Sequence, residues 1–482
     1  MKTANNQAAV SRMLLWALAA LVVARLISLA LYPLMDTTEA RYGDIARRMV
    51  ERSDWVTPWF TDSEPFWGKP PLSFWATALG FKLFGINEFG GRLPHLILGF
   101  SVAALTWWYA RRQSARAAWH AVALLSASSL FIVSSGAVMT DMSLTVGTTL
   151  VMVGFWFAMR DDAGKSWLWQ SLMALGFVIG LLAKGPLALV LCGAPIGVWL
   201  IWQRRLPDAW RRIAWLRILL LVLVFSLPWY IMAELRTPGF LNYFLVGEHF
   251  HRFVTAGWTG DKYGAAHAYP RGGIWLLGFG AVAFWPFLLL PLAFFRRRQA
   301  NLLLSPKEKN GARLYLLLWS LWPCVFFTFS GNIIWTYVLP GLPALAILVA
   351  LWTSKQSGKA TEWVVIGGVW ICTATVVVCV VLANSSGYLD RKSAKLLMMD
   401  YRTQAQVDEP LLYLGEVPFS ASFYSDGRAR QLSNLAELDA KQPGASALVV
   451  VSAEQLAALP EGSRSRLNEI SRRGSMLLMR WR

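Results

Sequence analysis

Long, nearly uncharged apolar stretches recur at roughly 13–34, 93–110, 118–137, 142–159, 166–183, 186–203, 214–233, 273–295, 313–329, 334–352 and 363–383. Each approaches the ~20 residues an α-helix needs to cross a hydrocarbon core. The pattern predicts a polytopic α-helical membrane protein with about eleven transmembrane helices. The first apolar run is too long for a cleavable signal peptide, and no small-residue cleavage site follows it. Residues 71–85 are apolar but short and carry Lys82. Counting them as a span would reverse the side of every later loop, so they read as a re-entrant or interfacial helix against the outer leaflet. After residue 383 the rhythm changes. Short apolar runs (411–414, 447–452, 475–481) alternate with polar helical stretches (434–441, 453–473), as in a small α/β domain. The expectation is a membrane domain over residues 1–383, its outer loops 35–92 and 234–272 forming the active site, and a C-terminal α/β domain over residues 384–482.

Composition agrees with the pattern. The 482 residues are 56% hydrophobic and 15% charged, with a mean hydropathy of +0.43, whereas a soluble protein carries about a quarter charged residues. A soluble enzyme, a disordered chain and a coiled coil are excluded. The net charge of +18 would suggest nucleic acid in a soluble domain; here it follows topology, and no nucleic-acid partner is expected. Basic clusters at Lys2/Arg12, Arg111/Arg112/Arg116, Arg160/Lys165, Arg204/Arg205/Arg211/Arg212, Arg296/Arg297/Arg298/Lys307/Lys309 and Lys355/Lys359 fall in every second loop. That is the positive-inside rule, with the amino terminus cytoplasmic and, for an odd number of spans, the tail outside. The 26 Trp suit interfacial belts. The four Cys sit in apolar spans and read as small core hydrophobes. The cytoplasmic loops are short and hold no Walker or Gly-rich phosphate loop, which excludes an ATP-driven transporter from this chain alone.

The parity places outside the loop 35–92, the turns at Asp141 and Lys184, the loop 234–272 and the tail. The first loop runs Asp36-Thr37-Thr38-Glu39-Ala40-Arg41-Tyr42, then a helix-like stretch to Arg52, and ends Gly68-Lys69-Pro70-Pro71. Asp36 and Glu39 lie three apart and can face one side; in a partly dehydrated pocket such acids become candidate general bases or bind a cation. Arg41 is the expected ion-pair partner of Glu39, which leaves Asp36 unpaired and better tuned as a base. Lys69, held by Pro70-Pro71, suits a phosphate, with snorkelling the equal alternative on spacing. Asp141 stands at a depth where a carboxylate is costly and therefore functional by default. Lys184 is a lone external cation that calls for an anion. Glu248, His249, His251 and His267 could be read as a zinc shell, but adjacent and i,i+2 positions diverge on a helix, so the local set cannot close. Contacts to sugar or phosphate, with Arg252, are the preferred reading; no metal and no cofactor is expected. The tail shows neither metal-ligand spacing nor a nucleophile motif, and reads as a packing or docking module.

An ordered set of motifs carries a family likeness: 36–49 (Asp-Thr-Thr-Glu-Ala-Arg-Tyr through Met49), Asp54-Trp55-Val56-Thr57-Pro58, Gly68-Lys69-Pro70-Pro71-Leu72, Arg92-Leu93-Pro94, Thr140-Asp141-Met142, Ala183-Lys184-Gly185-Pro186, Glu248-His249 with Arg252-Phe253, and Thr336-Tyr337-Val338-Leu339-Pro340. Together they resemble the bacterial lipid A 4-amino-4-deoxy-L-arabinose transferase (ArnT-like) family of GT-C glycosyltransferases and, more distantly, the protein O-mannosyltransferases. The likeness covers about residues 13–353. It implies an inverting transferase of the bacterial inner membrane that takes a sugar from a polyprenyl (undecaprenyl) phosphate donor at the periplasmic face and passes it to lipid A or another envelope glycolipid. It also implies a catalytic centre at the first-loop acids with Asp141 in support, Arg41 and Lys69 on the donor phosphate, Tyr337 near the donor, and Tyr42, Lys184, Glu248, His249 and Arg252 as further substrate contacts. Two departures stand out. The family often reads Asp-Glu-Thr-Arg-Tyr, but Thr38 occupies the place of its Asp, so either Asp36 or Glu39 could be the working carboxylate. The family's Glu before Lys-Pro-Pro is Gly68 here. The rival readings are transfer of another sugar to O-antigen, polysaccharide or protein, and a non-catalytic lipid-linked sugar transporter, against which the absence of a hydropathy repeat speaks.

Overall fold

A computed structural model describes residues 2–160, 166–264, 267–295, 311–356, 359–406, 409–435 and 446–481. Lys165, the cluster of Arg296, Arg297 and Arg298 with Lys307 and Lys309, and most of the expected helix 434–441 lie outside the described residues.

The membrane part runs α1 (Lys2–Leu31), α2 (Thr38–Arg52), α3 (Leu72–Phe84), α4 (Glu88–Arg111), α5 (Ala115–Ser126), α6 (Ser129–Ser134), α7 (Asp141–Ala158), α8 (Ser166–Lys184), α9 (Leu187–Trp202), α10 (Leu206–Arg212) and α11 (Trp215–Arg236). A π-helix (Tyr243–His251) follows, then α12 (Gly273–Val282), α13 (Trp285–Phe295), α14 (Ala312–Phe327), a 3-10 segment (Trp335–Gly341) leading into α15 (Leu342–Thr353), and α16 (Lys359–Ser385). Every expected span carries helix, but not as eleven uninterrupted rods. Among the described residues, seven helices are long and apolar enough to cross a bilayer, and eight if α12 and α13, bent by 81°, count as one. The other expected spans are shorter helices: α5 followed by α6, α9 and α14. Breaks like these free backbone groups that lipid cannot satisfy, so protein must. The Ser129 hydroxyl does so at the α12 break, donating to Gly280 O at 2.7 Å and Ala281 O at 2.9 Å.

Helix α7 is almost wholly buried. It packs against α8 through glycines: a Cβ on Gly147 would stand 2.7 Å from Gly180 N, and one on Gly176 2.6 Å from Gly147 O. Such small-residue seams let membrane helices touch backbone to backbone. The seam sets the start of α7 beside the end of α8, which positions the charged pair described below.

The tail holds a five-stranded sheet of order β2-β1-β3-β5-β4, with β1 (Leu411–Leu414), β2 (Ala429–Leu432), β3 (Ala447–Ser452), β4 (Leu467–Arg473) and β5 (Met476–Trp481). β1 pairs parallel with β2 and β3, while β5 is antiparallel to β3 and β4. One face packs Tyr413, Leu448, Val450 and Leu478 against Leu397, Met398 and Tyr401 of α17 (Lys395–Gln404). The other buries Val449, Val451, Leu477 and Trp481. The stretch expected to be helical over 453–473 is helical only at Ala453–Ala458 and Glu461–Arg464 and ends as β4; its polar residues suit an edge strand with one wet side.

A short helix, α18 (Phe419–Tyr424), docks the tail onto the first loop. Ser422 Oγ donates to Asp44 Oδ2 (2.9 Å) and Tyr424 OH to Glu88 Oε1 (2.8 Å). Ser420 donates its backbone N–H to Asp36 Oδ1 (2.9 Å) and its hydroxyl to Asp36 Oδ2.

Candidate functional site

A cavity of about 910 Å³ opens between the first loop, the turns at Asp141 and Lys184, the loop carrying Glu248 to His267, the segment around Tyr337, and the tail. Apart from the Tyr337 segment, these are the segments the alternation of basic loops assigns to one side. A smaller cavity of about 200 Å³ shares Lys69, Lys184, Glu248, Arg252 and Tyr337 with it, and is otherwise walled mainly by Leu187, Val190, Phe253, Phe326 and Phe327. A charged chamber therefore adjoins an apolar slot.

Two ion clusters line the chamber. Asp141 opens α7 and Lys184 closes α8, each at the helix end whose dipole favours its charge. Lys184 Nζ lies 2.7 Å from Asp141 Oδ1, both side chains nearly buried, and 5.0 Å from the centre of the Tyr337 ring. The next residue, Gly185, has φ +71°, and a Cβ there would sit 2.6 Å from the Phe244 ring, so glycine is required. His249 buttresses this turn, its Nε2 lying 3.0 Å from Lys184 O and its Nδ1 2.7 Å from Phe244 O. Burial pushes its imidazole pKa below the ordinary value.

The second cluster centres on Glu248, in the π-helix, a rare distortion frequent at functional sites. Lys69 Nζ donates to Glu248 Oε2 (2.8 Å) and Gly68 O (2.6 Å). Arg252 Nη1 reaches both Glu248 oxygens and Asp261 Oδ2, each at 3.1 Å. Burial alone would raise the Glu248 pKa, but Lys69 and Arg252 outweigh it and hold the carboxyl below its usual range. Arg41 Nε, Arg252 Nε and Thr336 Oγ1 are buried without a hydrogen-bond partner among the described residues. All three residues line the chamber.

The first-loop acids lie elsewhere. Glu39 does not pair with Arg41: fully buried Arg92 grips both its oxygens at 3.0 and 2.7 Å, and Val138 N donates to it at 3.1 Å. Arg41 instead donates to Tyr263 O and covers the Tyr42 ring at 5.1 Å. Asp36 is not unpaired either, since Ser420 occupies both its oxygens. Burial keeps its pKa above the ordinary value despite those bonds. Neither acid lines the chamber, whereas Thr38, Arg41, Tyr42, Lys69, Asp141, Lys184, Glu248, Arg252 and Tyr337 do. Tyr42 is fixed edge-on between Phe66 and Phe74. At Gly68, the place of the family's Glu, a Cβ would stand 2.8 Å from the Phe66 ring. His249 serves backbone carbonyls and His251 stacks on Trp258, so the local His set does not converge. Sequence reasoning missed Arg92 as the partner of Glu39 and missed the tail wall formed by Glu416, Phe419, Ser422 and Arg430. Only the Arg92-Leu93-Pro94 motif hinted at the first; nothing local signals the second.

The family model for dolichyl-phosphate-mannose-protein mannosyltransferases matches residues 9–244. The chain is 33% identical over 364 residues to the undecaprenyl phosphate-alpha-4-amino-4-deoxy-L-arabinose arabinosyl transferase 1 of Pseudomonas fluorescens, which covers 71% of this chain and 59% of that one. It is 32% identical over 351 residues to the corresponding transferase of Erwinia tasmaniensis, covering 70% and 58%. The chain thus matches less than two thirds of the length of these relatives. The crystal structure of ArnT from Cupriavidus metallidurans bound to undecaprenyl phosphate superposes with a TM-score of 0.78 at 20% identity, over 97% of each chain. That likeness shows the fold, a multi-pass membrane protein with a small C-terminal sheet domain. Relatives, family model and fold agree: the chain belongs to the ArnT-like family of GT-C membrane glycosyltransferases.

Proposed function

We propose that the chain is an inverting glycosyltransferase that takes a sugar from a polyprenyl (undecaprenyl) phosphate and passes it to lipid A or another envelope glycolipid. It acts at the periplasmic face of the bacterial inner membrane, with the amino terminus cytoplasmic and residues 384–482 a periplasmic domain. The observation that carries this reading is the gathering of Lys69, Lys184 and Arg252 around one chamber that continues into an apolar slot. That pairing matches a ligand with an anionic head and a hydrocarbon chain, and the relatives' names specify an undecaprenyl phosphate sugar.

In the proposed reaction the bond from the anomeric carbon to the donor phosphate oxygen breaks, and its electron pair stays on the lipid phosphate. Lys69 and Arg252 stabilise that charge, and Lys184 adds to the field; preorganised cations in a water-poor site are worth more than in water. The acceptor oxygen closes on the opposite face of the sugar. A phosphate monoester acceptor, with a second pKa of about 6, is ionised near neutral pH and needs no general base. Asp141 is the carboxylate of the sequence-derived catalytic trio that faces the chamber, and it orients Lys184 and offsets positive charge on the sugar. Asp36 and Glu39 are positioning residues, Asp36 through Ser420 and Glu39 through Arg92. Mass spectrometry of lipid A and surface glycans with and without the gene tests the reading. A sugar adduct that disappears with the gene and returns with the wild-type chain, but not with Lys69→Ala, supports it. Identical glycolipids in both strains refute it.

A further inference from the structure

The chamber has a second charged wall. Residues 60–64 form a tight turn closed by Phe60 N–H to Glu64 O (2.8 Å), and its tip residue, Asp62, reaches toward the tail. Asp62 Oδ1 accepts from Arg48 and, at 3.0 Å, from Arg52, while Oδ2 accepts from Arg430 of β2 at 3.1 Å. Arg48 also shares Asp44 with Arg47, which in turn reaches Glu51. Four guanidiniums thus share three carboxylates, and three of them converge on one. Arg48 is buried, but Asp62 is 50% and Arg430 65% exposed, and Arg48, Asp62 and Arg430 all line the 910 Å³ chamber. None of the three lines the apolar slot. The cradle and the Lys69–Lys184–Arg252 cluster are therefore two walls of one chamber.

We propose that this seam between first loop and tail is the acceptor-side anion subsite, and that Asp62 is a built-in carboxylate which the acceptor's phosphate displaces. This rests on the glycosyl-transfer reading and extends it by giving the tail a part in acceptor recognition. Guanidinium forks match phosphate and carboxylate alike, but a phosphate monoester carries about −1.5 to −2 charge near neutral pH. A half-exposed ion pair is held weakly, so the dianion outcompetes Asp62 for the same three arginines. The cradle's position away from the apolar slot keeps it free when the donor lipid occupies the other wall.

A structural clamp and a displaceable plug predict opposite signs. The test uses the full chain in lipid nanodiscs with undecaprenyl-phosphate-linked 4-amino-4-deoxy-L-arabinose, varying lipid A and donor separately. Arg430→Gln should raise the KM for phosphorylated lipid A about tenfold and leave the donor KM unchanged, with Arg430→Lys between. Dephosphorylated lipid A should be a poor acceptor that does not respond to Arg430→Gln. Asp62→Asn should lower the KM for phosphorylated lipid A. An increased acceptor KM in Asp62→Asn, equal rises of both KM values in Arg430→Gln, or an unchanged acceptor KM there would overturn the subsite. Calorimetry of pyrophosphate binding in a Lys69→Ala background separates the subsite from the transfer reading, because it needs no turnover. Binding weakened by Arg430→Gln and tightened by Asp62→Asn supports the subsite even if no sugar moves; binding indifferent to both changes refutes it.

Discussion

Glu248 accepts from two cations that the sequence separates by 183 positions, Lys69 and Arg252. Its carboxyl is held below the ordinary value of 4.5 by those cations against the effect of burial. The pair therefore contributes stability that is full above the unfolded value and is lost as pH falls through the depressed folded value. Thermal stability should therefore stay flat from neutral pH down to about that range and then fall; in Glu248→Gln this acid limb should shrink while stability at neutral pH drops. Thermal denaturation from neutral pH to acid checks both. Asp36 is the opposite case. Its pKa is raised from 3.8, so its contribution is present below that value and is lost as pH rises through the folded one. Asn at this position can still accept from Ser420 N–H. Asp36→Asn should therefore keep turnover within a few-fold and match or exceed wild-type thermal stability at neutral pH, whereas loss of a general base costs roughly 10²–10⁴. A rate drop of that size with normal folding would return Asp36 to the chemistry.

At the scale of elements, the α7–α8 seam brings Asp141 to Lys184 and the π-helix brings Glu248 to Lys69. Removing one member of a buried pair leaves an uncompensated charge and costs about 3–5 kcal/mol. Lys184→Met and Asp141→Asn should each lower the melting temperature, and the double variant should regain most of the fold but not the activity, as thermal denaturation alongside a transfer assay would reveal. Gly185→Ala, which meets the Phe244 ring and an unfavourable φ, should cost turnover without touching a charge. Much of this arrangement is legible in the sequence. The apolar runs locate the membrane helices, and the alternation of basic loops assigns Asp141, Lys184 and Glu248 to one side. The partners of Asp36 and Glu39 are not legible, because Ser420 lies 384 residues and Arg92 53 residues away, and local spacing offers Arg41 instead. The break in α12–α13 is hidden because Ala283 and Phe284 keep the composition apolar across it, and the α5–α6 break because Ser126, Ser128 and Ser129 are uncharged inside an otherwise apolar run. β4 is hidden because an edge strand need not alternate.

For the whole molecule, α18 locks the tail over the first loop and makes it one wall of the chamber, a role no local motif announces. If residues 384–482 are periplasmic, an alkaline phosphatase fused after the last residue should be active, and reporters in the cytoplasmic-side loops inactive. The central claim is that sugar leaves a polyprenyl phosphate at the Lys69–Lys184–Arg252 wall. Its most direct test is transfer by the purified chain in nanodiscs, from undecaprenyl-phosphate-linked 4-amino-4-deoxy-L-arabinose to lipid A, followed by mass spectrometry of the lipid product. The account predicts a sugar adduct and released undecaprenyl phosphate in equal amounts with the wild-type chain. It also predicts a loss of at least tenfold in kcat/KM for Lys69→Ala, as expected when a charge-assisted contact to a partly buried phosphate is removed. Product formation unchanged in Lys69→Ala, or no adduct from a folded wild-type chain that leaves the donor intact, would contradict it.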